Sequence, residues 1–313
     1  MALHERLVWE RDGRQWPHRD ASHFAQAAGL RWHLQTMGLP ASRAPVVWLL
    51  HGTGASTHSW RGMMPLLARH FHVVAIDLPG HGFTGMPSAA HADGPLSLPG
   101  MGRAVAALMQ VQGAMPDLVL GHSAGAAVAV RMCLDGHIAP RCLLGVNAAL
   151  LPLGGLAGQL FSPVAKLMAA APFIPRLFAW RASDPQVLQR LIAGTGSALD
   201  PTGLALYGQL IRNPGHAAGA LAMMANWDLQ GLQRDMPALA PPLALLVGSN
   251  DRTIPPAQAR EVASKLPRHA LTAVATLEGL GHLAHEESPA LVARHTVRLA
   301  RGAGLLGEAP PAG

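Results

Sequence analysis

The sequence predicts an α/β fold in which a mostly parallel central sheet carries helices on both faces and an inserted helical lid. Three observations lead there. Short apolar runs ending in glycine or polar residues recur along the chain, helical stretches separate them, and one long apolar region interrupts the alternation. Runs of this kind are what strands buried on both faces look like. Their alternation with helices is what a parallel sheet needs, because its strands are joined by crossovers.

Taken in order, "HFAQAAGLRWHLQTMG" alternates loosely around Gly29 and predicts two short antiparallel strands joined by a tight turn. The apolar runs Pro45 to Gly52, His72 to Asp77, Asp117 to His122, Arg141 to Asn147, Leu243 to Asp251 and Leu271 to Gly279 predict six further strands. Helices are expected in "SWRGMMPLLARH", "LPGMGRAVAALMQVQG", "AGAAVAVRMCLDG", "PAQAREVASKLP" and "SPALVARHTVRLAR". The last opens with Ser288 and Pro289, suited to a cap and a first turn.

The rhythm breaks between about Ala149 and Leu232, a region rich in Leu, Ala, Gly, Pro and Met with no good strand run. It divides the chain into a first core part (1–148), a helical lid (149–232), a second core part (233–301) and a tail (302–313) expected to be disordered. Pro152, Pro163, Lys166, Pro172 and Pro175 interrupt the apolar stretch of the lid, so no span of about 18 apolar residues remains for a transmembrane helix. A cover over an apolar pocket is the expectation, with peripheral membrane contact as the alternative.

Composition narrows the function classes. The net charge of +6 suggests an anionic partner, but only 13% of the residues are charged and no dense Lys/Arg block occurs, which argues against nucleic acid. Cys133 and Cys142 sit in apolar surroundings and read as buried thiols of a reducing compartment. The N-terminal segment is charged within its first turn and lacks the apolar stretch of a secretory signal. A cytoplasmic location is expected.

The chemistry centres on "GHSAG". It directly follows a strand run and directly opens a helix, where a sharp elbow lifts the Ser123 hydroxyl above the sheet edge. Gly121 and Gly125 let strand and helix backbones approach closely. A serine needs a base, and the base needs a carboxylate to fix its tautomer. "LLVGSNDRTIP" ends a strand at Asp251, and "EGLGHLAHEESP" places His282 in the loop after the final strand. Asn147 ends an earlier strand, but a neutral amide cannot balance an imidazolium, and Asp251 is preferred. His285 competes with His282 as base. The two histidines lack both H-E-x-x-H spacing and a defined third ligand, so no metal is expected.

Acyl transfer also needs backbone donors for an oxyanion, and "WLLHGTGAST" puts a glycine-rich turn after a central strand. Thr53 and Ala124 are the expected donors. His51 and Trp60 read as supports for this turn. His122, Trp60 and Trp227 stand as substrate-binding candidates. "GHGFTG", Gly80 to Gly85, matches a dinucleotide fingerprint, but "MPSAAHADGP" behind it cannot open the helix on which a pyrophosphate would sit. No cofactor is expected, and Asp77 is assigned to orienting backbone.

"HGTGASTHSW", "DLPGHGFT", "GHSAG", "GSNDRTIP" and "GLGHLAHEE" together resemble the α/β-hydrolase superfamily over nearly all of residues 22–301. In that family the order Ser123, Asp251, His282 is the order of the triad. A narrower resemblance comes from "WPHRDASHFAQAAGLRWHLQTMG", "HGTGASTHSWRGMMPLLA" and "MANWDL". These are similar to the magnesium-chelatase accessory proteins of bacteriochlorophyll synthesis. The resemblance implies a role around magnesium insertion into protoporphyrin or a neighbouring tetrapyrrole, with chelatase subunits as partners. The expected activity is hydrolysis of an ester-type bond in a bulky apolar substrate. The alternatives are a noncatalytic porphyrin-binding or delivery factor and a general esterase or carbon–carbon hydrolase.

Overall fold

Each apolar run forms a strand of one eight-stranded sheet. The computed structural model describes residues 5–87, 94, 96–152, 173–181 and 184–307. β1 (Ser22–Ala27) and β2 (Leu30–Gly38) make the hairpin. Their two linking residues, Ala28 and Gly29, have φ of 49° and 73°, the pair of positive values a type I′ turn requires. Then come β3 (Val46–Leu50), β4 (His72–Ile76), β5 (Leu118–His122), β6 (Cys142–Val146), β7 (Leu243–Gly248) and β8 (Leu271–Leu277). The order across the sheet is β1-β2-β4-β3-β5-β6-β7-β8. β2 runs antiparallel to both β1 and β4, and every pairing from β4 to β8 is parallel.

Among the described residues the helices longer than a single turn are α1 (Leu98–Gln112), α2 (Ala124–Leu134), α3 (Ile174–Arg181), α4 (Pro185–Gly194), α5 (Pro201–Ile211), α6 (Pro214–Ala225), α7 (Leu229–Asp235), α8 (Ala257–Lys265) and α9 (Pro289–Gly302). β3 shows how the sheet feeds two cores. Val46, Trp48 and Leu50 join the apolar layer of α1, α2 and α8, whereas Val47 and Leu49 join the opposite layer with Met63, Met64, Leu67 and α9. This is the period-2 alternation of a strand covered on both faces.

α3 to α6 lie in the inserted region expected to form the lid, and α7 runs across its expected end at 232. Its leading part, 153–172, falls outside the described residues. Ala303, Leu305 and Leu306 pack back onto the α9 layer, and the Ala303 carbonyl accepts a bond from Arg141. The tail boundary expected at 302 is thereby corrected, since apolar side chains hold at least four more residues to the core. The chain from 308 onward lies outside the described residues.

The junction of β5 with α2 positions the site. Ser123 has φ 50° and ψ −116°, a conformation disfavoured for a side-chain-bearing residue. α2 leaves the elbow so close to β3 that a Cβ on Gly125 would run into the Leu50 and His51 carbonyl oxygens. Gly125→Ala is therefore expected to lose about 3 kcal/mol or more of stability, because a backbone contact cannot yield as a side chain can. A urea midpoint within error of wild type would contradict this packing.

Candidate active site

Three parallel strands deliver the candidate triad at their carboxyl ends. Ser123 follows β5, Asp251 follows β7 and His282 follows β8. His282 Nδ1 lies 2.8 Å from Asp251 Oδ2, with both side chains nearly enclosed. The other carboxylate oxygen, Oδ1, accepts the backbone N–H groups of Thr253 (2.8 Å) and Ile254 (2.9 Å). With Nδ1 held by the carboxylate, Nε2 is the ring nitrogen left for proton exchange.

Asn147 is a support whose role the sequence did not disclose. It directly follows β6 at φ 47°, and its Nδ2 donates to Asp251 Oδ2 at 2.6 Å. It thus fixes the acid from the neighbouring strand. A neutral amide at a strand end was the available signal, but its partner is 104 residues away.

The serine sits in a backbone cradle. Gly52 packs against Ser123, where a Cβ would lie 3.1 Å from the serine Cβ and 2.8 Å from His122 Nδ1. Gly52 O accepts from Ala55 N at 3.2 Å, and Gly54 has φ 77°. These features close a turn of type II character with Thr53 in its corner. Thr53, Gly54 and Ser123 are partly exposed, while the flanking residues are buried. Ala124 is the first residue of α2, so the helix itself makes no claim on its N–H.

Asp77 orients backbone as expected. Its carboxylate accepts from Thr57 N (2.7 Å) and Phe83 N (2.9 Å) and pairs with His33 Nδ1 (2.8 Å). Burial opposes its charge, but His33 and these hydrogen bonds hold the carboxyl well below its ordinary range.

Two of the substrate-binding expectations need correction. Trp60 is fully enclosed on the α9 side of the sheet, 4.5 Å from the His285 ring. His122 is also enclosed, and its Nε2 donates to the His282 carbonyl at 2.9 Å. Both pack behind the loops of the candidate site. Their proximity in sequence to the turn and the serine does not reveal which way their side chains face. Trp227 is half-buried against the apolar layer of α1 and α2. His285 is buried with neither ring nitrogen bonded to a described residue, and Nδ1 of His282, not of His285, meets the acid. Among the described residues no group of three His, Cys, Asp or Glu side chains is placed to hold a metal ion.

The inserted region is tied to these loops. Thr195 O accepts from Arg252 N and His282 N, and Ser197 Oγ accepts from Leu283 N at 2.8 Å. Ala198 N donates to Glu287 at 3.0 Å. Buried Glu286 accepts from Tyr207 on α5 (2.8 Å) and pairs with Arg61 (2.7 Å), which also reaches Asp200 (2.9 Å). None of these partners was legible as such in the sequence.

Strand order, elbow and the two later loops define the class of protein, and the sequence agrees with them. The chain belongs to the alpha/beta hydrolase family, whose model matches residues 46–295. It is similar to the magnesium-chelatase 30 kDa subunit of Rhodobacter capsulatus, with 38% identity over 87% of this chain and 91% of that protein. Solved structures share the fold. An alpha/beta hydrolase fold protein from Burkholderia ambifaria superposes with a TM-score of 0.69 at 24% identity, covering 88% of this chain and 99% of that one. A thermophilic esterase from Thermogutta terrifontis does so with a TM-score of 0.67 at 22% identity, covering 90% and 98%.

The surroundings of the site are rich in neutral imidazoles. Burial lowers the pKa of His51, His58, His81 and His122, takes His216 down to about 4 and takes His285 down to about 3. Once unfolded, each would take up its proton near the ordinary value of 6.5. The unfolded chain therefore binds more protons as the pH falls, and stability declines from about pH 6.5 to pH 4 at up to about 1.4 kcal/mol per pH unit for each ring. Burial raises Glu286 to about 7, against the pull of Arg61. That acid binds its proton more readily when folded, and so offsets part of the loss between pH 7 and 4.5. Urea midpoints should fall steeply from pH 7 to pH 5, and a flat profile would show that the rings are not held neutral.

Proposed function

We propose that the chain is a serine hydrolase that cleaves an ester-type bond in a bulky apolar substrate, acting around the magnesium-insertion step of bacteriochlorophyll synthesis. The 2.8 Å contact of Asp251 with His282 carries the chemical part, because it sets the tautomer that a base needs. The similarity to a chelatase subunit supports the pathway and chelatase subunits as partners, and a tetrapyrrole ester is the substrate this reading assigns.

In this mechanism Ser123 Oγ attacks the ester carbonyl carbon while its proton passes to His282 Nε2. The resulting oxyanion is received by the Thr53 and Ala124 N–H groups, and Asp251 balances the imidazolium. Collapse breaks the bond to the alcohol, which leaves with the proton from His282. Water then loses a proton to His282 and attacks the acyl group. The second collapse returns that proton to Ser123 Oγ and releases the acid.

The same protein would work at a lipid surface on the cytoplasmic side. Phe173, Leu177 and Trp180 recur at helical spacing on and just before α3 and are 62%, 49% and 68% exposed. Arg176 and Arg181 flank them on the exposed surface, and no Asp or Glu occurs from residue 136 to 183. An apolar face within a basic surround suits an anionic bilayer, where tryptophan favours the interface. No helix among the described residues is long and apolar enough to cross a membrane.

A fluorophosphonate probe should label Ser123 covalently, and Ser123→Ala should abolish the labelling. Asp251→Asn should slow turnover of a p-nitrophenyl ester by about 10³- to 10⁴-fold. An unlabelled wild type would instead favour a porphyrin carrier. Normal pigment in a cell carrying only Ser123→Ala would remove hydrolysis as the biological role. In flotation assays the protein should rise with vesicles containing anionic lipid, and Leu177→Asp together with Trp180→Asp should leave it at the bottom. Equal flotation of that double variant would exclude this face as the contact.

A further inference from the structure

α6 presents one face to the oxyanion turn. His216, Gly219 and Met223 stand at the i, i+3 and i+7 positions of that helix, the spacing of a single helical stripe. A Cβ on Gly219 would strike the Gly80 carbonyl, so the helix lies backbone to backbone on the loop after β4. Met223 Sδ accepts from Thr53 Oγ1 at 3.5 Å. The helix start is fixed as well. Asn213 Oδ1 caps it by accepting from His216 N at 2.9 Å, and Arg6 bonds both the Gly215 and Gly80 carbonyls.

His216 is enclosed, and both of its ring nitrogens are engaged. Nδ1 accepts from Gly82 N at 3.0 Å. The ring proton must then sit on Nε2, which donates to Gly54 O at 3.0 Å. Only the neutral ring in this tautomer satisfies both bonds, and burial keeps it neutral by lowering its pKa to about 4. Gly54 directly follows Thr53, the expected oxyanion donor.

We infer that His216 is a positioning residue of the inserted region, fixing the Gly52–Ala55 turn through the Gly54 carbonyl so that the Thr53 N–H faces the developing oxyanion. Seating of α6 and completion of the oxyanion site are then one event. A substrate that holds the insert in place also assembles the donor that cleaves it. The inference rests on the serine-hydrolase reading.

The test uses full-length protein with His216→Ala, His216→Asn and His216→Gln. Glutamine can place an N–H near the Nε2 position and keep the bond to Gly54. Asparagine can accept from Gly82 but falls short of Gly54. With a p-nitrophenyl ester, kcat and the rate of fluorophosphonate labelling should drop about tenfold to a hundredfold in the Ala and Asn variants, part of the loss seen when an oxyanion donor is removed outright. KM should stay within about threefold, and the Gln variant should recover to within about threefold of wild type. The Asn variant serves the comparison if the Ala variant does not fold. Turnover at the wild-type rate in Ala or Asn would overturn the inference, as would a Gln variant no faster than Asn. An inert wild type would instead overturn the hydrolase reading itself, and the inference with it.

Discussion

The structure turns on one close approach, where α2 leaves β5 against the end of β3. Gly125 allows the helix backbone to touch the Leu50 and His51 carbonyls, and Ser123 is held at positive φ as a result. Such a conformation is costly for a serine and persists only because its surroundings over-determine it. The two central strands and the helix supply that rigidity. The other parts of the candidate site are arranged around this fixed point: the turn after β3, Asp251 after β7 and His282 after β8.

A second constraint is the choice of neutral imidazole as the interior polar group. Buried histidines bridge backbone groups that loops leave unsatisfied. His51 Nε2 accepts from Leu78 N, His122 Nε2 donates to His282 O, and His216 joins Gly82 to Gly54. A neutral ring offers one donor and one acceptor and costs far less to bury than a charge. This chain therefore locks the loops around the candidate site with groups that stay uncharged as long as they stay buried. Buried carboxylates do similar work, since Asp77 is bonded to His33 and Glu286 pairs with Arg61, each tying separate segments together.

The inserted region is more than a cover. Its α4–α5 connection accepts the backbone N–H groups of Arg252, next to Asp251, and of His282, and α6 rests on the Gly52–Ala55 turn. An insert bonded to the loops after β3, β7 and β8 links whatever it encloses to the geometry of the candidate site. In chain order, the N-terminal segment belongs to the same lock, since Arg6 reaches four carbonyls on the β4 loop and the start of α6. Its charged character gave no hint of this in the sequence.

What the sequence determined by itself was local and periodic. Doubly buried strands are continuous apolar runs, the hairpin turn carries its glycine, and the serine elbow is legible because strand, glycine, serine and helix follow one another within a few residues. Chain order placed Asp251 and His282 because one ends an apolar run and the other lies in the loop after the last one. Only the tertiary structure decided side-chain direction and distant partnership. Trp60 and His122 turn inward, although their neighbours in sequence face the site. Asn147 meets the acid from another strand, and His216 reaches across 162 residues to Gly54. The reason is physical: periodicity records which face of an element is apolar, whereas a polar pairing between separate elements leaves no periodic trace and exists only once the chain has closed upon itself.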